Sequence, residues 1–109
     1  MANIRVDADA ITGWESFHEA FKQAMGFPGF YGMNMDAWID CMSYLHDEDA
    51  GMTRFNLDVT ETLNIEIAAI ESLNVRCPEI VDALIECSAF VNKRYLEAGK
   101  RPVLALVFL

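Results

Sequence analysis

The C-terminal run Val103–Leu109 restricts the possible folds of this chain more than any other stretch. Its seven residues include no polar side chain. A continuous apolar run of this length predicts a strand that is covered on both faces, which is typical of a parallel sheet. Parallel strands require crossover connections, which are usually helices. The sequence therefore predicts an α/β fold.

Two further strands and two amphipathic helices fit this architecture. Apolar residues alternate in Ala2–Val6 and in Leu63–Ala68, and we interpret the second stretch as the central strand. The first helix is predicted to start at a capping box formed by Thr12 and Glu15 and to end at Gly26. The second is predicted to start at Pro78 and to end at Gly99.

These elements predict a small three-stranded parallel sheet flanked by helices, in one domain that spans residues 1–109. Residues 54–64 are compatible with either a short strand or an extended loop, because their apolar residues alternate only briefly. His18 is interpreted as a surface or boundary residue of the first helix, without a function.

A further helix, which lies between these two in the chain, is predicted to start after Asn34, whose side chain can cap it. One face is apolar, and it comprises Met35, Trp38, Ile39, Met42 and Leu45. Another face is acidic, with Asp36 and Asp40 one turn apart. A solvated helix face is the alternative, but like charges at this spacing destabilise a helix by about 0.2–0.5 kcal/mol. No lysine or arginine lies between Lys22 and Arg54, so we expect both carboxylates to be uncompensated within the molecule.

The negative charge is concentrated in the same part of the chain. Residues 32–62 contain seven acidic residues and one basic residue, within a chain of net charge −9. Such a field repels nucleic acid and attracts basic proteins. The sequence therefore predicts a protein partner of opposite charge, and neither nucleic acid nor a membrane as a partner.

Three further expectations concern cellular context and assembly. No apolar run approaches the roughly 20 residues that span a bilayer, and the first residues do not resemble a secretory signal. The three cysteines suit reduced thiols, so we expect a cytoplasmic protein. We expect a monomer, with a homodimer through Phe30, Tyr31 and Tyr44 as an alternative.

No motif of catalysis, metal binding or cofactor binding occurs in the sequence. The acidic loop His46–Gly51 lacks the ligand spacing of a calcium loop and is interpreted as a solvated turn. Asp36 and Asp40 could be imagined as an acid–base pair, but nothing else in the sequence indicates a substrate pocket. A binding face is therefore favoured over an enzyme, and no cofactor is expected.

One segment resembles the signature of the barstar family, whose members are intracellular inhibitors of the secreted ribonuclease barnase. The resemblance rests on the run Phe30-Tyr31-Gly32-x-Asn34-x-Asp36-Ala37-x-x-Asp40-Cys41. It implies the same α/β fold and a protein that blocks the active site of a cationic secreted ribonuclease with an acidic helix and the preceding aromatic loop. The partner-binding residues that it implies are Phe30, Tyr31, Asn34, Asp36, Ile39, Asp40 and Tyr44.

Within this resemblance, Asp40 corresponds to the dominant anchor, whereas Trp38 and Cys41 are expected to face the core. The sequence differs from the family pattern at Phe30, Met33, Ile39 and Arg94, where the family has a tyrosine, a glutamate, a tryptophan and an acidic residue. We therefore expect a nuclease related to barnase as the partner, rather than barnase itself. The alternative is an interaction module of the same fold, such as an immunity or regulatory protein, whose partner is not a ribonuclease.

Overall fold

The structure is a computed structural model that describes residues 2–109, so that Met1 lies outside the described part of the chain. Three strands form one parallel sheet in the order β1-β2-β3, with β1 at Ala2–Asp7, β2 at Leu63–Ala68 and β3 at Leu104–Phe108. Residue 2 pairs with residue 63, which in turn pairs with residue 104. The α/β class, the parallel sheet and the central position of β2 are confirmed.

Four helices connect and cover the strands. They are α1 at Trp14–Met25, α2 at Met35–Met42, α3 at Ile70–Arg76 and α4 at Pro78–Glu97. The helix α3 was not predicted from the sequence. Residues 51–62 form a loop without a helix or strand, which resolves the ambiguity left for this segment.

The sheet is covered on one face. Buried side chains alternate along β1 and β2, and they join one hydrophobic core with the helices. The other face carries Asn3, Arg5, Asn64 and Glu66, and we call these four residues the open face of the sheet. The expectation that the last strand is covered on both faces is wrong, because Ala105 and Val107 of β3 continue the open face beside Asn64 and Glu66 and are only half-buried.

Two expectations about α1 also need correction. The helix starts one residue later than the predicted capping box requires, and Ser16 takes the role assigned to Glu15. Its hydroxyl oxygen accepts hydrogen bonds from the backbone N–H groups of Thr12 and Gly13, at 2.8 and 3.2 Å. His18 is buried rather than at the surface, because it lies on the same helical face as Phe17 and Phe21.

No helix among residues 2–109 is both long enough and apolar enough to cross a membrane. The three cysteines are free thiols, with Cys41 and Cys77 buried and Cys87 half-buried.

Candidate functional site

The helix α2 starts as the sequence predicts, at a cap provided by Asn34. The side-chain oxygen of Asn34 accepts a hydrogen bond from Ala37 N–H at 2.8 Å, and its amide nitrogen donates to the Gly32 carbonyl at 3.2 Å. A Cβ atom added at Gly32 would lie 3.3 Å from that amide nitrogen, so the loop has little room for a larger residue. The Asn34 side chain thus uses one polar atom in the loop and the other in the first turn of α2, and it fixes the start of the helix.

The inner face of α2 packs into the core. Trp38, Cys41 and Met42 are at most 2% exposed, as the sequence predicts for the first two. Burial, followed by the charge of Asp40, raises the pKa of the Cys41 thiol to about 11. Cys41 is therefore a protonated structural thiol at neutral pH, without the thiolate that a nucleophile needs.

Tyr95 of α4 fixes the far end of α2. Its hydroxyl group donates to the Met42 carbonyl at 3.0 Å and accepts from Leu45 N–H at 3.1 Å. Carbonyl groups at the end of a helix lack partners within the helix, so this contact satisfies one of them. Tyr95 was not identified from the sequence, although it lies four residues after Val91 and both side chains are on the buried face of α4.

The outer edge of α2 is exposed and acidic. Asp36 and Asp40 both face solvent, and we call these two residues the acidic edge. Asp36 forms no ion pair with any of residues 2–109. Arg54, the nearest basic residue after α2 in sequence, instead donates from Nε to the Ala24 carbonyl at the end of α1, at 2.9 Å.

The expectation of an uncompensated acidic edge is wrong at Asp40. Arg94 of α4 places its Nη1 atom 3.6 Å from Asp40 Oδ1, with side-chain exposures of 46% and 64%. Local sequence patterns do not predict this pair, because the two residues are far apart in the chain. An exposed ion pair contributes only about 0.2–1 kcal/mol, so a partner can compete for Asp40.

The aromatic loop before α2 presents one ring and buries the other. Phe30 is 77% exposed, whereas Tyr31 is 5% exposed. The expected direct contact between Tyr31 and a partner conflicts with this burial. Phe30 is thus the accessible aromatic side chain of the pair.

A buried polar pair supports this loop from below. The Tyr31 hydroxyl oxygen and His18 Nδ1 lie 2.6 Å apart, and Phe27 packs against the Tyr31 ring. Burial raises the pKa of Tyr31 and lowers the pKa of His18, so that both groups are neutral at physiological pH. His18 was assigned no role from the sequence, although its position three residues before Phe21 places it towards the buried face of α1.

The remaining expected contact residues are Tyr44 and Ile39. Tyr44 is 42% exposed beyond the end of the helix, and Ile39 is half-buried against the core. The expected contact residues that are exposed are Phe30, Asn34, Asp36, Asp40 and Tyr44. Together they offer carboxylates and aromatic rings to a partner.

The two carboxylates of the acidic edge lie outside the clefts that border α2. Two open clefts border α2, one of about 250 Å³ next to Trp14 and Met33 and one of about 100 Å³ next to Ser43 and Arg94, and neither carboxylate lines them. Among residues 2–109, no group of three histidine, cysteine or acidic side chains could hold a metal ion. The arrangement suits recognition of a charged surface better than acid–base chemistry.

Comparison with models of protein families gives a match over nearly the whole chain. A family model described as "Barstar (barnase inhibitor)" matches residues 1–107 of the chain. No curated protein matches the chain significantly. The match includes the acidic edge, the aromatic loop, β1, β2 and all of β3 except its last residue.

Proposed function

The chain belongs to the barstar family, and we propose that it inhibits a cationic secreted ribonuclease by covering the active site of that enzyme. In this proposal α2 and the loop before it enter the substrate groove. The carboxylates of Asp36 and Asp40 replace the phosphates of RNA and accept hydrogen bonds from cationic side chains of the enzyme. The inhibitor is not itself an enzyme, and it acts as a cytoplasmic monomer that protects the cell.

The acidic edge is the observation that carries this proposal. Asp36 lacks an ion pair among residues 2–109, and the Asp40 side chain is 64% exposed despite its contact with Arg94. Like charges one turn apart cost helix stability, so their placement on an exposed edge favours a role in binding.

The aromatic residues supply the apolar part of the proposed interface. Phe30 projects beside the start of α2, and Tyr44 lies beyond its end. Exposed aromatic rings beside charged anchors are typical of residues that dominate binding energy. Asn34 and Tyr31 contribute indirectly, by fixing the loop, and Ile39 contributes at the border between the core and the interface.

Titration against barnase and other basic secreted ribonucleases tests the proposal. We expect stoichiometric inhibition of at least one enzyme, with an association rate that falls as the salt concentration rises. Asp40→Ala should weaken this inhibition, whereas Glu66→Ala, which removes a paired carboxylate from the open face of the sheet, should not. Failure to inhibit any of the enzymes, or inhibition that is insensitive to salt and to Asp40→Ala, would favour the interaction module with a different partner.

A further inference from the structure

Arg94 is a cation built into the margin of the acidic edge. Its Nη1 atom donates to Ser43 Oγ at 3.2 Å and lies 3.6 Å from Asp40 Oδ1. Its guanidinium carbon lies 5.0 Å from the centre of the Phe90 ring. Contacts with Asp40 of α2, with Ser43 directly after α2 and with Phe90 of α4 therefore orient this side chain in the absence of a partner.

The cation also borders a cleft. Ser43, Arg94 and Lys100 line this cleft together with Tyr95 and Ala98, and its volume is about 100 Å³. Two basic residues and a serine thus line a cleft beside the contact between Arg94 and Asp40. The recognition surface is consequently divided, with negative charge along α2 and positive charge where α2 meets the end of α4.

We propose that Arg94 determines the specificity of this inhibitor by selecting a ribonuclease that carries a carboxylate beside its cationic groove. The inference rests on the proposed function and names the chemistry of the partner. The groove cations would bind Asp36 and Asp40, while the carboxylate would enter the cleft and accept hydrogen bonds from Arg94. A guanidinium group can bind a carboxylate through two parallel hydrogen bonds, so this contact is both strong and geometrically selective.

The same residue would disfavour other ribonucleases. An enzyme that presents only cations at this position would meet the positive charge of Arg94 and would have to compete with it for Asp40. Specificity is a difference of affinities, and a repulsive element lowers the affinity for the wrong partner. Arg94 would therefore raise the affinity for the preferred ribonuclease and lower the affinity for the others.

Charge substitutions at neighbouring positions of α4 provide the test. Inhibition constants would be measured for the wild type, Arg94→Gln and Arg94→Glu against barnase and a panel of basic secreted ribonucleases. Lys93→Gln and Lys93→Glu are the matched controls, because Lys93 is exposed on the same helix and has neither an ion pair nor a side-chain hydrogen bond within residues 2–109. Thermal unfolding would verify that all variants are folded.

We expect Arg94→Gln to weaken inhibition of the preferred ribonuclease by about tenfold or more, and Arg94→Glu to weaken it further. The Lys93 variants should change it by no more than about twofold to threefold, because exposed charges away from the contact are screened. Arg94→Gln should also reduce the difference in affinity between the preferred ribonuclease and the others. This change in selectivity is a result that a purely structural role of Arg94 would not produce.

A charge exchange identifies the carboxylate of the partner. Each acidic residue at the border of the enzyme's groove would be replaced by lysine, and one of these enzyme variants should bind Arg94→Glu better than it binds the wild-type inhibitor. If the wild type inhibits a ribonuclease but Arg94→Gln binds every enzyme equally well or more tightly, this inference is wrong and the proposed function stands. If the wild type inhibits none of them, the proposed function fails, and the inference fails with it.

Discussion

The acidic edge of α2 and the open face of the sheet both carry exposed charge, but they use it differently. On the sheet, Arg5 and Glu66 are paired in register on adjacent strands and lie 3.6 Å apart, beside a hydrogen bond between Asn64 and Asn3. On α2, Asp36 has no ion pair among the described residues. The sheet thus satisfies its polar groups within the fold, whereas the helix leaves carboxylate capacity for another molecule.

Asp40 makes this comparison more instructive, because its contact with Arg94 has the same length as the pair on the sheet. Distance alone therefore does not distinguish a structural pair from a recognition site. The surroundings do distinguish them. Arg5 and Glu66 face each other on a regular ladder, whereas Asp40 lies one turn from a like charge at the exposed edge of a short helix.

The largest expected difference between the two surfaces appears when one carboxylate is removed from each of them. Asp40→Ala should weaken inhibition of the preferred ribonuclease by at least about 2 kcal/mol, or roughly 30-fold, and by more than any other single substitution. Glu66→Ala should leave the inhibition constant within about twofold, because a charge away from the interface acts only through screened fields. Inhibition constants measured side by side would contradict the comparison if the two variants behaved alike.

The second effect concerns the buried support of the aromatic loop. Tyr31→Phe leaves His18 Nδ1 in the core without its hydrogen-bond partner, which should lower the free energy of unfolding by about 1–3 kcal/mol. Denaturant unfolding measures this loss. An equal free energy of unfolding for Tyr31→Phe and the wild type would show that the hydrogen bond does not support the loop.

The same pair predicts a dependence of stability on pH. Because burial lowers the pKa of His18 in the folded protein, the unfolded chain takes up a proton first, near its ordinary pKa of about 6.5. This contribution to stability is present above that pH and is lost as the pH falls through the lower pKa of the folded state. His18→Gln should remove this part of the slope, and an unchanged slope between neutral and mildly acidic pH would refute the assignment.

The smallest expected effect is a difference in the free energy of unfolding between substitutions on the two surfaces, measured without a partner. Glu66→Gln should lower the free energy of unfolding by up to about 1 kcal/mol, because it removes a cross-strand pair of opposite charges. Asp40→Asn also removes an ion pair, but it relieves repulsion from Asp36 and an unfavourable charge near the end of α2. We therefore expect its free energy of unfolding to stay within about 0.5 kcal/mol of the wild type. A loss at Asp40 as large as that at Glu66 would indicate that the acidic edge serves the fold.

The sequence predicted the local features of the fold well, because each depends on neighbours along the chain. The cap at Asn34, the end of α1 at Gly26 and the start of α4 at Pro78 all lie where the pattern places them. The short helix α3 was missed, since its seven residues provide less than two helical turns of pattern. The apolar composition of β3 did not reveal that this strand forms an edge of the sheet.

The candidate site was harder to predict where it depends on contacts across the fold. The exposure of Asp36 follows from the pattern of α2, but the approach of Arg94 to Asp40 joins residues 54 positions apart in sequence. Tyr31, in the loop before α2, similarly has its hydroxyl group buried against His18 of α1, 13 positions earlier in the chain. Sequence periodicity shows which face of a helix is polar, but it does not show which distant side chain that face meets.

Competition with RNA tests the central claim most directly, because an inhibitor whose carboxylates replace phosphates must exclude the substrate. The initial rates of the inhibited ribonuclease would be measured over a range of RNA and inhibitor concentrations. We predict competitive inhibition, in which the apparent inhibition constant rises linearly with the RNA concentration and the maximal rate is unchanged. An apparent inhibition constant that is independent of the RNA concentration would place the inhibitor away from the substrate groove and contradict the account.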